Sequence, residues 1–374
     1  MSGGVDSSVA TALLLDQGYS VTGVTMKLFD NDILPDGTES TCCSLDDVED
    51  AKDVCRRLGI PHLTLNFKDR FASKVMNQFC QAYLSGTTPN PCIECNRHLK
   101  FAGLQQRRRE LGAEYVATGH YVRRRYNPET QAWELLKARD DHKDQSYVLY
   151  HLTQNDLAHM LFPLGDLTKS EVRALADARG FINARKRESQ DICFVPDGDH
   201  VGFIERYQLE GEHAGNNPIV CDPSQPPFAP GDIVDQDGNL LGQHHGLIHY
   251  TTGQRKGIGL ASSSPLYVWE KDMDRNQLVV AHHEDLLVDE IHLSDVNLIA
   301  GKDITPPQRV QVKTNYNQKP IEAELFIEKD MDSENGASGL AATVHFLEPQ
   351  VRPAPGQSAV AYEGDLVLGG GIIV

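Results

Sequence analysis

The sequence predicts an α/β fold: a doubly wound parallel sheet over residues 1–195, a small central domain over 196–281, and a C-terminal antiparallel β-barrel over 282–374. Three observations carry this. Helical spacings alternate with short apolar runs as far as about Ile192, the pattern of a parallel sheet covered on both faces, with ligands at the carboxyl ends of its strands. From Pro196 to about Ala281 the helical signal fades into Gly, Pro and short runs, with five prolines between Asn216 and Gly231. After His282 the chain reads as strands alone, separated by turn residues such as Asn335-Gly336 and Glu363-Gly364.

In the first zone, Val9, Ala12, Leu13 and Asp16 trace a helix opened by Asp6-Ser7-Ser8 and stopped by Gly18. Val21, Val24, Met26 and Leu28 then form a strand. Val48, Ala51, Cys55 and Leu58, at spacings of 3, 4 and 3, make the next helix, which Gly59 closes before a strand from Ile60 to Phe67. Two more helices cover roughly Phe71 to Leu84 and Phe101 to Leu111, and Tyr115-Val116-Ala117 is a short buried strand ending in Gly119-His120. The barrel strands are Arg309–Val312, Ile321–Ile327, Ala341–Phe346, Ser358–Tyr362 and Leu366–Leu368.

The composition narrows the function classes. Hydrophobic residues make up 40% of the 374 residues and charged ones 24%, which describes a folded globular chain. No apolar run reaches membrane-spanning length and no signal peptide opens the chain, so a cytoplasmic protein without a membrane partner is expected. In that reducing compartment the eight cysteines read as core residues, metal ligands or reactive thiols. A net charge of −18 speaks against a nucleic-acid partner, DNA included, yet the charge is segregated. Eleven Lys or Arg face six acids between Arg97 and Lys143, while Asp30 to Asp53 holds nine acids and one Lys. The basic segment is either a solvated helix face or a phosphate-binding strip.

Four motifs carry chemistry. Ser2-Gly3-Gly4-Val5-Asp6-Ser7-Ser8 gathers two glycines and three hydroxyls at a helix start, where free N–H groups and the helix dipole suit a pyrophosphate. The Gly-Lys-Ser/Thr ending of a Walker loop is absent. In Thr88-Pro89-Asn90-Pro91-Cys92-Ile93-Glu94-Cys95-Asn96-Arg97, prolines stiffen a loop that holds thiols, and no second C-x2-C or H-x3-H stands at zinc-ribbon distance. Lys143-Asp144-Gln145-Ser146-Tyr147 reads alone as a polar helix start. Glu188 to Val195 sets Cys193 in an apolar trio beside the basic Arg185-Lys186-Arg187; alone it reads as core.

The string S-G-G-x-D-S resembles the PP-loop of ATP pyrophosphatases, which cleave ATP to AMP and pyrophosphate. Taken in order, the chain resembles the tRNA-specific 2-thiouridylase family, which places sulfur on the wobble uridine of certain tRNAs. The resemblance runs over nearly the whole length through T-P-N-P-x-x-x-C-N, F-A-G-L, A-T-G-H-Y, K-D-Q-S-Y, F-P-L-G, S-x-x-I-C-F, G-Q-R-K-G, P-G-Q-S-A-V and G-G-G-I-I.

The resemblance implies Cys95 as nucleophile and Cys193 as the persulfide carrier; Cys95 either attacks the persulfide, closing a transient Cys95–Cys193 disulfide, or deprotonates it and releases sulfide. It implies ATP, with Mg2+, held by Ser2, Gly3, Gly4, Val5, Asp6, Ser7, Met26 and Gly119. Asn90, Pro91 and Cys92 would face the target base; His120, Lys143, Asp144, Gln145, Tyr316 and Gln357 would touch tRNA, with Asn315 standing where many relatives have Arg. Other relatives carry Asp in place of Cys92, so a second chemistry stays open: a 4Fe–4S cluster held by Cys92, Cys95 and Cys193. The partners implied are tRNA and a sulfur donor or carrier protein that supplies the persulfide. Arg97, Lys100 and Arg185 to Arg187 are expected to favour thiolate. Arg107–109, Arg123–125, Lys143, Arg255 and Lys256 are expected on one RNA-binding face. Two other readings remain: a PP-loop synthetase that adenylates a carboxyl or purine carbonyl, and a non-enzymatic nucleotide-binding module with a structural C-x2-C. A PP-loop in this fold follows a central strand, and only Met1 precedes Ser2. Neighbours of a missing strand would leave buried amides unpaired at about 1–3 kcal/mol each, so the natural product is expected to begin roughly ten residues upstream.

Overall fold

The computed structural model describes residues 1–30, 34, 45–186, 192–209, 222, 224–299, 304–329 and 339–374. The first region opens with helix α1 (Val5–Asp16), strand β1 (Gly23–Lys27), helix α2 (Leu45–Leu58) and strand β2 (His62–Asn66). β1 and β2 pair in parallel, Gly23 opposite His62 through Lys27 opposite Asn66. α1 buries residues all round, from Val5 and Val9 to Thr11 and Leu14, because it is packed between α2 and a later helix rather than lying on a surface. Gly18, at φ +86, ends it with the left-handed turn that glycine adopts at least cost.

A long helical stretch follows as α3 (Lys68–Phe71) and α4 (Asn77–Leu84), joined by a π-helical segment over Ala72–Met76. Then come α5 (Pro91–Cys95), a second π segment over Asn96–Phe101, and α6 (Ala102–Glu110). Strand β3 (Val116–Ala117) pairs in parallel with β6 (Met160–Leu161), so among the described residues the wound sheet consists of two separate parallel pairs. Met1 runs beside β1: its amino group donates to the Val24 carbonyl, and Thr25 Oγ1 donates to the Met1 carbonyl at 2.8 Å. Between β3 and β6 lie a hairpin, β4 (Val122–Asn127) and β5 (Ala132–Lys137), and helix α7 (Gln154–Ala158). The sequence reading had no place for this hairpin, nor for α8 (Lys169–Ala178), which packs on α1.

Helix α9 (His200–Leu209) corrects the expectation that helical structure fades after Pro196. Phe203, Ile204 and Tyr207 drive it into an aromatic cluster with Phe71, Phe79 and Phe194, so tertiary contacts stabilise a helix too short to announce itself. The central sheet has the order β8-β7-β10-β9, from β7 (Gly231–Val234), β8 (Leu240–His244), β9 (Tyr267–Asp272) and β10 (Gln277–Ala281). Most of the proline-rich stretch from Asn216 lies outside the described residues.

The last six strands close a barrel: β11 (Leu287–Leu298), β12 (Gln308–Lys313), β13 (Ile321–Lys329), β14 (Leu340–Val351), β15 (Ser358–Glu363) and β16 (Leu366–Ile373). Their order is β11-β14-β13-β12-β15-β16, and β11 pairs again with β16 to close the ring. β11 is the strand the sequence reading missed. A register shift between Ser294 and Asn297, with Asp295 at φ +47, breaks its alternation. The barrel is fused to the first region: β16 meets β5 at Leu366 and Leu136, and Tyr147, Leu149, Tyr150 and Phe101 share one core with Val360, Tyr362 and Val367. Gly370 makes room for this contact, since a Cβ there would lie 2.9 Å from the Tyr150 ring.

Candidate active site

The Ser2–Gly4 turn feeds directly into α1. Gly3 holds φ +69, and a Cβ on it would lie 2.4 Å from the Asp47 carbonyl oxygen, so only glycine lets the turn rest on the start of α2. The Ser7 and Ser8 hydroxyls fold back on the Gly4 carbonyl at 3.1 and 3.0 Å, and the Ser2 N–H donates to Ser7 Oγ at 3.2 Å. No side chain caps the helix, which leaves its first N–H groups for an anion. Gly119 abuts the loop: a Cβ there would stand 2.9 Å from the Ser7 nitrogen. Thus Ser2 to Ser7 and Gly119, separated in sequence, form one cradle.

Four residues lock this cradle in roles that the sequence reading does not assign them. Lys169, 8% exposed, places Nζ 2.8 Å from both Asp6 carboxylate oxygens, and the Tyr121 hydroxyl donates to Asp6 at 2.7 Å. Asn183, 2% exposed, donates through Nδ2 to the Gly3 carbonyl (2.8 Å) and to Ser8 Oγ (2.9 Å). Lys186 grips Asp47 and Asp50 at 2.6 Å each; burial alone would lower its pKa, but the two carboxylates outweigh that and raise it. A signal for Lys169 existed. It opens a helix inside the capping box Thr168–Glu171, where the helix dipole disfavours a cation unless an acid waits nearby.

The cysteine segment is a short helix with a stiff start. Asn90 Oδ1 accepts from the Cys92 N–H at 3.2 Å and Pro91 occupies the first helical position. Cys92 is exposed; Cys95 is buried at 8% and leads into the π segment, a distortion often found at functional positions. Cys193 is half-buried beside Phe194, whose ring packs on Phe203, Phe79 and Phe71 at centroid distances of 4.9, 5.2 and 5.6 Å. Cys95 belongs to this aromatic cluster, and Cys193 and Met26 pack against it. Residues 187–191, including Arg187 and Glu188, lie outside the described residues. Among the described residues no three Cys, His, Asp or Glu side chains converge to hold a metal. Mg2+ is a different case, because it keeps several waters and needs only one or two carboxylates beside substrate phosphates; Asp6 is the carboxylate of the cradle, and both its oxygens are held by Lys169 here.

The expected RNA contacts divide. Tyr316 (38% exposed) and Asn315 are open to a partner, and Arg255 and Lys256 stand exposed on a turn that Gln254 braces by donating to the Lys256 carbonyl at 2.9 Å. His120 is buried, and burial together with Lys100 holds its pKa well below 6.5, so it presents a neutral ring rather than a phosphate-binding cation. Gln145 accepts from the Tyr121 N–H at 2.9 Å, while Asp144 accepts from the Ala138 N–H (3.0 Å) and the Ser146 hydroxyl (2.7 Å). These two build the turn on which Lys143 sits. Gln357 donates to the Thr88 carbonyl at 2.9 Å.

The single basic face is corrected. Arg123 pairs with Asp365 (2.7 Å), Arg125 with Glu134 (2.5 Å), and Arg124 lies 4.3 Å over the Trp133 ring, because successive residues of β4 point to opposite sides and each meets a local partner. Arg107 pairs with Glu110 at 2.5 Å and Arg108 with Gln105 at 2.7 Å. Arg97, expected to favour thiolate, instead forms an ion pair with Asp295 of β11, with Nη2 at 3.1 Å.

Comparison with known proteins matches these parts. The family described as tRNA methyl transferase HUP domain matches residues 1–197, the tRNA methyl transferase PRC-barrel domain residues 224–282, and the aminomethyltransferase beta-barrel domain residues 288–373. The tRNA-specific 2-thiouridylase MnmA 1 of Caldanaerobacter subterraneus subsp. tengcongensis is 45% identical over 377 residues, covering 100% of this chain and 96% of the relative. The tRNA-specific 2-thiouridylase MnmA of Heliobacterium modesticaldum is 45% identical over 375 residues, covering 100% of this chain and 91% of its own. Among solved structures, the NMN synthetase of Francisella tularensis aligns over 59% of this chain and 87% of its own, at 17% identity and a TM-score of 0.32. No helix among the described residues is long and apolar enough to cross a membrane. With full-length identity of this order to proteins so named, the chain belongs to the tRNA-specific 2-thiouridylase family.

Proposed function

We propose that this protein converts the wobble uridine of tRNA to 2-thiouridine, through residues 1–195 as catalytic domain, 196–281 as connector and 282–374 as an RNA-facing barrel. The reading rests above all on the meeting of Cys95, Cys193 and Met26 at one aromatic cluster, with the Gly119-backed cradle built in the same domain. A uridine turned out of the anticodon loop places O2 at the α-phosphorus of ATP seated on the Ser2–Ser7 turn. The new P–O bond displaces pyrophosphate, and the uridine oxygen becomes a good leaving group. Cys95 thiolate attacks Cys193 Sγ of the persulfide, forming the Cys95–Cys193 disulfide and expelling hydrosulfide. Hydrosulfide adds to C2, AMP leaves with the former O2, and a dithiol reductant resets the disulfide.

Mg2+ would neutralise phosphate charge beside Asp6. Cys92, exposed at the start of α5, and the capping Asn90 line the approach of the base, with Pro91 buried between them in sequence; Lys143, Tyr316, Arg255 and Lys256 meet the RNA backbone. A carrier protein bearing a persulfide reloads Cys193, whose half-buried position permits access. The test is pyrophosphate release with ATP and a tRNA transcript, followed by nucleoside mass spectrometry. Release that depends on tRNA and yields 2-thiouridine is expected; release without tRNA, or with no thiolated nucleoside, would overturn the reading in favour of an adenylating synthetase.

A further inference from the structure

Cys95 is the functional thiol of the first region, yet both ends of the segment that carries it are tied to the barrel. At the leading end, the Thr88 N–H donates to the Pro355 carbonyl at 2.8 Å, and Gln357 Nε2 donates to the Thr88 carbonyl at 2.9 Å and lies 3.5 Å from that of Pro89. Gly356 fits there only as glycine, with φ +90 and a Cβ position 3.0 Å from Thr88 backbone atoms. This turn is itself fixed to β16, since the Gly356 N–H donates to the Ile373 carbonyl and the Ile373 N–H to the Gln357 carbonyl, both at 2.8 Å.

At the trailing end, two residues after Cys95, Arg97 pairs with Asp295. Asp295 occupies φ +47, a left-handed conformation that a non-glycine residue keeps only where its surroundings impose it. The surroundings are the bulge of β11, which Asn297 anchors by donating to the Tyr150 carbonyl at 2.6 Å and to that of Leu152 at 3.2 Å. The bulge turns the Asp295 carboxylate to the guanidinium. Both partners are more than a third exposed, so the pair adds little to stability; its fork geometry fixes direction instead.

We infer that the barrel is a working part of the sulfur-transfer site: the Arg97–Asp295 pair and the Thr88–Gln357 contact clamp the two ends of the Cys92–Cys95 helix and set the position of Cys95. Asp295 and Gln357 are then positioning residues that act through backbone and guanidinium without touching the reacting atoms. The inference rests on the reading of Cys95 as the nucleophile. Gln357, placed by family resemblance against tRNA, has its amide turned to the cysteine loop.

The test uses the full chain with Asp295→Arg, Arg97→Asp, the double exchange, and Asp295→Asn as the milder variant. Two quantities are read: the single-turnover rate of thiolation at saturating tRNA and ATP, and the alkylation rate of Cys95 by iodoacetamide, followed by peptide mass spectrometry. Each single change should slow thiolation about tenfold to a hundredfold, in line with the cost of displacing a reacting group by about 1 Å, and should alter Cys95 alkylation while KM for tRNA moves little. The double exchange should bring both rates back to within about threefold of the original. Singles with unaltered rates would overturn the inference. So would a loss that appears in KM for tRNA and is not rescued by the exchange, since that marks Arg97 as an RNA contact. If Cys95→Ser still thiolates tRNA, the nucleophile reading fails on its own, and the alkylation rates continue to report the clamp.

Discussion

The two halves of the reaction are held in different ways. The nucleotide cradle is locked from within the first region: Asn183 on the Gly3 carbonyl, Lys169 and Tyr121 on Asp6, Lys186 on α2. The thiol segment is locked from outside, by the 355–357 turn and Asp295 of the barrel. An anion site made of backbone N–H groups is a local object and asks only for a correctly folded turn. If the thiol reaches both a partner cysteine and a base on a large RNA, as proposed, holding it from the barrel proposed to face that RNA couples the two.

The largest effects expected lie at the thiols. Cys95→Ser and Cys193→Ser should abolish thiolation, on the order of a thousandfold or more as for other nucleophile removals, while ATP and tRNA binding persist. Cys92→Ser should be mild, because its side chain is exposed, whereas Cys95 is buried and Cys193 half-buried at the aromatic cluster. Equal severity at all three positions, with iron bound on anaerobic purification, would favour the iron–sulfur chemistry instead.

At the other end, Gly3→Ala places a methyl on the Asp47 carbonyl and forces a side chain into φ +69. The strain is about 1–3 kcal/mol before any clash, and relief requires the turn to leave α2. ATP affinity should fall at least about tenfold, with Cys95 alkylation unchanged. Calorimetry that gives the original ATP affinity would show that the cradle is not built as described.

A paired measurement sharpens the contrast between the halves. Asn183→Ala removes two hydrogen bonds from a fully buried amide, a loss of about 1–3 kcal/mol that should appear as a higher KM for ATP. Gln357→Ala removes a contact on the cysteine loop and should lower the thiolation rate while KM for ATP stays put. If both variants shift the same parameter, the halves are not held independently.

What could be read from the sequence follows the same division. Seven consecutive residues specify the cradle, so Ser2 to Ser8 announce it, and Gly119, at the end of a recognisable strand, is placed there by the family resemblance alone. The locks are far less legible, the capping box around Lys169 being the one hint. Asn183 and Lys169 act across long stretches of chain, and Asp295 sits in a strand whose bulge hides its period. Arg123-Arg124-Arg125 shows the opposite failure: three adjacent cations suggest a basic patch, but the pleat of β4 sends them to Asp365, Trp133 and Glu134 in turn. The run is conspicuous because it is contiguous, and contiguity on a strand separates side chains rather than gathering them.

A further effect is expected on stability against pH, and it can be assigned to either half. His120, behind the cradle, is held well below its usual pKa by burial and by Lys100. His151, beside the thiol segment, is lowered from 6.5 to about 4 by burial and by Arg97, and its Nε2 has no hydrogen-bond partner. In the unfolded chain both titrate near 6.5, so below that value the unfolded state takes up protons that the folded state refuses. Stability is therefore complete above about pH 6.5 and declines with acid, by up to about 1.4 kcal/mol per pH unit for each imidazole. For His151 the decline ends as pH passes its folded value of about 4. Urea unfolding at pH 7, 6 and 5 should show a shallower acid slope for His151→Asn than for the parent protein, and likewise for His120→Asn. Carboxylates that titrate near the lower end contribute equally to parent and variant, so the difference isolates the histidine. A variant slope equal to the parent's would mean that the imidazole is solvated in the folded state, and for His151 that the packing around Arg97 and Asp295 is looser than the clamp requires.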